Sequence, residues 1–215
     1  MEPVGRLVQA MDDGAILGFP TESSYALGAD PRDPRGVGSI YQIKGRSSEK
    51  PLLVVLGSLK QLGSLGGNPD DPVLGEIAAL WPAPLTVVVP LAEPLAATAG
   101  TSSLAIRIPA HDKLRSLLQE LNTPLTSTSA NPSGGEPVSS PEMLESILAG
   151  WPSVVIDDGV LPGGMPSTIV SLATDSVTVL RRGVYPIAQI AEEISVPVFS
   201  AAAEENSVDL SRRTR

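Results

Sequence analysis

Two kinds of apolar pattern alternate along the chain. Short apolar runs bounded by Gly- and Pro-rich turns read as buried strands at 15–19 (AILGF), 51–56 (PLLVVL), 85–90 (LTVVVP), 104–108 (LAIRI), 153–156, 168–172 and 177–180. Between them, apolar residues recur every three or four positions. This spacing predicts helices over 4–11, 35–43, 59–65, 72–80, 112–121, 141–149 and 187–194. In the second of these, Val37, Ile40 and Tyr41 share a face, and the helix over 141–149 opens on a proline, which suits a first turn. The alternation over 15–183 predicts an α/β domain with a central sheet and flanking helices. Periodicity alone leaves open whether that sheet is parallel or mixed. Beyond Val198 the chain is poor in apolar positions and mixed in charge, which predicts a folded unit over 1–198 and a mobile tail over 199–215.

Composition narrows the chemistry. A chain of 215 residues can bury a full core as one domain. It has no Cys, which excludes disulfides, thiolate zinc sites, Fe–S clusters and cysteine nucleophiles. His111 is the single histidine, so a His-rich metal site is excluded too. A metal here must be held by oxygens, and Mg2+ travelling with a phosphate is the natural candidate. The N-terminal stretch lacks the basic and apolar regions of a leader, and no run approaches the ~20 apolar residues of a membrane span. A soluble, cytoplasmic protein is expected. The formal net charge of −9 argues against a broad nucleic-acid-binding face but is compatible with a local basic cleft.

Polar segments cluster at the strand ends. PTESSYALG puts Thr21, Ser23 and Tyr25 at a strand's carboxyl end, where open α/β sheets bind ligands. KGRSSEKP brings Lys44, Arg46 and Lys50 close together in an otherwise acidic chain. Arg107 lies inside an apolar strand, where it must be paired or meet an anion. PLTSTSANPSGGEP, at 124–137, offers Thr126, Ser127, Thr128, Ser129, Asn131 and Ser133 with a Gly-Gly pair. Such a loop suits either an anion-binding nest or an ordinary polar turn. His111, where a helix begins, and Trp81 read as structural. The inventory holds cations, hydroxyls and amides without an obvious general base. It excludes a Ser-His-Asp hydrolase, and neither GxxxxGK[ST] nor GxGxxG is present.

In order along the chain, PTESSYALG, IYQIKGRSSEKPLLVVL, LWPAPLTVVVP, LAIRIPAH, TSTSANPSGGEPVS, PSTIVSL and VLRRG resemble the motifs of the YrdC-type threonylcarbamoyl-AMP synthases. The resemblance implies a twisted, mostly mixed α/β sheet with flanking helices around a cationic cavity. It also implies synthesis of threonylcarbamoyl-AMP from L-threonine, bicarbonate or CO2 and ATP, with pyrophosphate released. A separate transferase complex would pass the product to the adenosine next to the anticodon of tRNA.

Carried over residue by residue, the resemblance implies that Lys44 and Arg46 contact phosphate and stabilise the transition state. It assigns Arg46, Lys50, Ser103, Ser129, Ser139 and Arg181 to ATP, and Thr21, Arg107, Ser127 and Ser167 to threonine, with Asn131 shaping the loop. Ser23, Ser24 and Ala26 depart from the common form of the first motif, Val55 stands where some members carry His, and Gly135 lengthens the SAN loop before Ser139. The alternatives are a hydrogenase-maturation type of carbamoyltransferase, an RNA-binding or ribosome-maturation factor, and a nucleotide-binding member without turnover.

Overall fold

The computed structural model describes residues 4–200. Helix α1 (Val4–Asp12) leads into β1 (Ile16–Pro20), and a tight turn over 21–24 returns the chain as β2 (Tyr25–Gly28). Then come α2 (Pro34–Lys44), β3 (Val54–Val55), a 3-10 segment (Leu59–Leu65), α3 (Pro72–Ala78), β4 (Leu85–Pro90) and β5 (Ser103–Arg107). Helix α4 (Asp112–Leu121) precedes β6 (Leu125–Thr126) and β7 (Thr128–Ser129), followed by α5 (Pro141–Leu148) and β8 (Ser153–Val155). The fold closes with β9 (Thr168–Leu172), β10 (Val177–Arg181), α6 (Ile187–Glu193) and β11 (Val198–Ser200).

The strands form two mixed sheets where one central sheet was expected. The smaller runs β7-β2-β1-β8 and the larger β11-β10-β9-β4-β5-β3-β6. Parallel and antiparallel pairs coexist in each: β1 is antiparallel to β2 and parallel to β8, while β4 is antiparallel to β5 and parallel to β9. β1 is buried along its whole length. Ile16 belongs to the larger hydrophobic cluster, while Leu17 and Phe19 belong to the smaller one. Apolar packing on both faces explains why AILGF shows no polar alternation.

Helix starts follow local chemistry. Asp33, Asp71 and Ser140 each precede a proline and accept a hydrogen bond from a first-turn amide, capping α2, α3 and α5. α4 buries Leu114, Leu117, Leu118 and Leu121, spaced along one face, against β1 and β6 in the smaller cluster.

The two sheets meet at Ser127. Thr126 ends β6 of the large sheet, and Thr128 begins β7 of the small one. The amide of Ser127 donates to the Leu53 carbonyl (2.7 Å), and that of Thr126 to Ala29 O (2.8 Å), so both neighbours pin the crossover. Of the tail expected over 199–215, Phe199 and Ser200 instead pair with β10 as part of β11. Residues 201–215 lie outside the described residues.

Candidate active site

A cleft of about 700 Å3 opens where the sheets diverge. Leu53, Ala105, Arg107 and Ile169 of the large sheet and its adjoining turns form one side, and residues 21–24 with Ala26 of the small sheet form the other. Ser127, Thr128 and Ser129 sit at the junction, and the segment Gly163, Gly164, Met165 and Pro166 forms a lip. Its charged lining consists of three arginines, Arg46, Arg107 and Arg181, and one carboxylate, Glu22.

Arg107 ends β5 and is 9% exposed. Its Nη2 donates to Glu22 Oε2 at 2.9 Å, and the other carboxylate oxygen accepts from the Ala110 amide at 2.7 Å. Arg107 Nε is buried without a hydrogen-bond partner. Burial draws the Arg107 guanidinium below its ordinary pKa, with Glu22 pulling the other way.

On the same sheet, at the end of β10, Arg181 Nε and Nη2 donate to the Ser167 carbonyl at 3.2 and 2.9 Å. Ser167 Oγ in turn shares a 2.8 Å hydrogen bond with Thr86 Oγ1. Burial and then the nearby positive charge of Arg107 lower the Arg181 pKa. Two partly desolvated cations that repel one another are well placed to share an anion.

Arg46 anchors one end of its guanidinium on Pro51 O (3.0 Å), and its Nε too is buried and unpartnered. Unsatisfied buried donors are costly, so these two Nε–H groups mark places where an acceptor would be favourable. The close approach of the strands depends on glycine. A Cβ on Gly183 would collide with the Ser167 carbonyl and Pro166 O, and one on Gly28 with the Phe19 ring and Thr126 O.

The cleft therefore gathers Thr21, Arg46, Arg107, Ser127, Ser129, Ser167 and Arg181 from the residues expected at the site. The others lie elsewhere. Lys44 is buried behind the SAN loop, and its Nζ donates to Ser129 O (2.5 Å), Asn131 O (2.8 Å) and Asn131 Oδ1 (3.2 Å). All three ammonium protons are thus engaged within the protein. Desolvation, followed by the charge of Arg46, pulls the Lys44 pKa down to about 8.

Asn131 bonds within its own loop: Oδ1 accepts from Ser129 Oγ and Nδ2 donates to Gly135 O. Lys50 is exposed and outside the cleft lining. Ser103 lines a neighbouring groove with Asp71, Pro90 and Ser171, on the same face of β5 as Ala105 and Arg107. Ser139 lines a smaller annex that shares Ser23, Ser24, Gly163 and Gly164 with the main cleft.

Thr21 closes its own turn, with Oγ1 donating to Ser24 O at 2.7 Å. Glu22 was not singled out from the sequence; its only signal was a carboxylate at a strand end beside cationic motifs. His111 caps α4, its Nδ1 accepting from the Leu114 amide (3.2 Å), so Nε2 carries the proton and donates to Asp158 (3.1 Å). Trp81 is buried and donates Nε1–H to Leu85 O at 2.7 Å.

Among the described residues no group of three His, Cys, Asp or Glu side chains is disposed to hold a metal ion. No helix among them is long and apolar enough to cross a membrane.

Known proteins share both sequence and architecture with the chain. A threonylcarbamoyl-AMP synthase of Pyrococcus abyssi is 32% identical over 202 residues, covering 93% of this chain and 59% of the relative. One from Bacillus subtilis is 31% identical over 183 residues, covering 84% of this chain and 53% of the relative. The chain thus spans a little over half the length of these two relatives. The crystal structure of P. abyssi Sua5 complexed with L-threonine superposes with a TM-score of 0.78 at 30% identity, over 91% of this chain and 58% of that one. The Sua5/YciO/YrdC sequence profile, described as telomere recombination, matches residues 9–183. The chain belongs to the Sua5/YciO/YrdC family.

Proposed function

We propose that this chain makes L-threonylcarbamoyl-AMP from L-threonine, bicarbonate or CO2 and ATP, releasing pyrophosphate. The observation that carries the reading is the convergence of Arg46, Arg107 and Arg181 on a hydroxyl-lined cleft, two of them with buried, unpaired Nε–H donors. The names of the relatives and the threonine bound to P. abyssi Sua5 support it.

In the proposed reaction the threonine ammonium loses a proton to solvent, its nitrogen adds to carbon dioxide, and the adduct loses a second proton from nitrogen to leave a carbamate. A carbamate oxygen then attacks the α-phosphorus; one P–O bond forms, and the bond to pyrophosphate breaks with its electron pair. Such a displacement asks the protein for alignment and charge stabilisation more than for covalent chemistry. Arg46 and Arg181 suit the phosphate oxygens, and Arg107 Nε, with its neighbouring N–H groups, suits the amino-acid carboxylate. Ser167 and Thr86 orient Arg181, while Ser127 and Ser129 add hydroxyls at the junction.

Lys44 acts through the SAN loop, holding Ser129 and Asn131 in place. Mg2+ would enter on the triphosphate, whose oxygens and water supply its ligands. The cleft fits this arrangement, since its side-chain oxygens other than those of Glu22 are hydroxyls. When bound, the ion would offset phosphate charge. The product is a reactive mixed anhydride, so a transferase complex acting on tRNA is the partner in this reading, and the cytoplasm its setting.

The test is pyrophosphate release from ATP with magnesium and bicarbonate. Release that requires L-threonine and is weak with valine supports the proposal. Release independent of the amino acid, or none, overturns it.

A further inference from the structure

We propose that Glu22 and Arg107 together form a two-charge receptor for a zwitterionic α-amino acid, with Glu22 holding the ammonium while Arg107 takes the carboxylate. This rests on the reading of the cleft as a threonine site. It adds a specificity-determining residue that sets which end of the amino acid lies where.

Three features distinguish this pair from a purely structural ion pair. First, the contact uses a single guanidinium nitrogen, Nη2, at 2.9 Å, while Nε is buried and unpartnered. A carboxylate that only neutralised this arginine would gain most from a bidentate grip. Second, Glu22 is held independently of Arg107. Oε1 accepts from the Ala110 amide at 2.7 Å, and the turn that carries Glu22 is closed by Thr21 Oγ1 donating to Ser24 O at 2.7 Å. The carboxylate therefore keeps its place when Arg107 engages a ligand. Third, both partners line the cleft, with 24% of the Glu22 side chain and 11% of the Arg107 side chain exposed. Each carboxylate oxygen accepts one hydrogen bond in the structure and has capacity for a second, which an ammonium can supply.

The electrostatics favour the same arrangement. A free carboxylate entering this cleft meets Arg107 and Arg181 but also the negative charge of Glu22. An amino acid brings its own positive charge to meet that carboxylate. The receptor therefore rejects hydroxy acids and carboxylates that lack the amine, and it keeps the nitrogen on the Glu22 side of the cleft.

The experiment is calorimetric titration of the full chain with L-threonine and with 3-hydroxybutanoate, which is threonine without its amine, for the wild type and Glu22→Gln. Glutamine keeps an oxygen for the Ala110 amide while removing the charge and replacing the oxygen that accepts from Arg107 with an NH2 donor. A hydrogen bond between charged groups corresponds to about ten- to a hundredfold in affinity. Wild type is expected to prefer threonine over 3-hydroxybutanoate by at least that factor. Glu22→Gln is expected to bind threonine more weakly by about the same factor and to bind 3-hydroxybutanoate as well as the wild type does, or better. Equal threonine affinity in the two proteins overturns the role of Glu22 while leaving the threonine site intact. Parallel loss of both ligands in the variant identifies Glu22 as scaffold and overturns the role as well. Absence of threonine binding to the wild type overturns both this inference and the proposed function.

Discussion

Lys44 is a buried cation spent on the loop beside the cleft. Its ammonium is shared among Ser129 O, Asn131 O and Asn131 Oδ1, so replacing it removes the donor of the buried Asn131 carbonyl and weakens the other two, which keep the Asn131 amide and Ser129 Oγ. Lys44→Met should therefore lower stability by roughly 1–3 kcal/mol in urea unfolding and weaken ATP binding through the loosened loop. The group also sets a pH dependence. With a folded pKa of about 8 against an ordinary value of 10.5, the unfolded chain binds more protons than the folded one between those values. The Lys44 contribution to stability should thus rise with pH across that window, the cost of its buried charge being fully present below about pH 8. Activity should move the opposite way, because the ammonium that holds the loop is lost. An alkaline limb in kcat/KM near pH 8, absent from Lys44→Met, would report it.

Arg181 presents the simpler case of direct charge. Arg181→Ala should raise the KM for ATP at least about tenfold, the scale of a lost charge-assisted hydrogen bond, with the circular dichroism spectrum unchanged. Arg107 was legible as a site candidate because an arginine within LAIRI is costly without a partner, although whether that partner was protein or ligand stayed open. Glu22 was not legible, since its importance comes from meeting Arg107 and Ala110, residues distant in sequence that only the fold brings near.

Legibility at the scale of elements followed the strength of local physics. α4 spans the expected residues because a capping side chain, an acidic first turn and leucines along one face agree with one another. Its cap gives a control at a side chain that does not line the cleft. His111→Ala should cost about 1 kcal/mol of stability in thermal unfolding and leave threonine-dependent turnover within about twofold of wild type.

β2 is harder to see in the sequence. Its four residues follow a polar turn, and its pairing with β1 and β7 supplies what local propensity does not. In PLLVVL only Val54 and Val55 pair as strand, because Leu52 instead donates to Ala97 O in the 3-10 segment Ala96–Thr98. The short turn after β10 matters more than its length suggests. Gly183 packs directly on the backbone that presents Ser167, so Gly183→Ala should displace Ser167 and Arg181 together. Its signature would be a fall in kcat/KM exceeding tenfold, with a loss of stability of about 1–3 kcal/mol from overpacking.

For the whole molecule, alternation of strands and helices indicated the α/β class but not the division into two sheets. That division rests on long-range pairings such as Ile16 with Ser153 and on the change of sheet at Ser127, neither of which has a local signal. The same crossover explains why polar motifs scattered from Thr21 to Arg181 share one cleft. The small sheet brings residues 21–24, the large sheet brings Arg107, and the chain between Thr126 and Thr128 joins them. Net charge told little about this site, because a formal charge of −9 coexists with a cleft carrying three arginines and one glutamate. The central claim is that this cleft joins threonine, carbon dioxide and AMP in one molecule. Incubating the full chain with ATP, magnesium, L-threonine and 13C-bicarbonate, and analysing the products at once by mass spectrometry, tests it most directly. The account predicts a threonine-dependent adenylate that carries the 13C label together with the mass of threonine. Unlabelled AMP or ADP alone, or an adenylate formed equally without threonine, would contradict it.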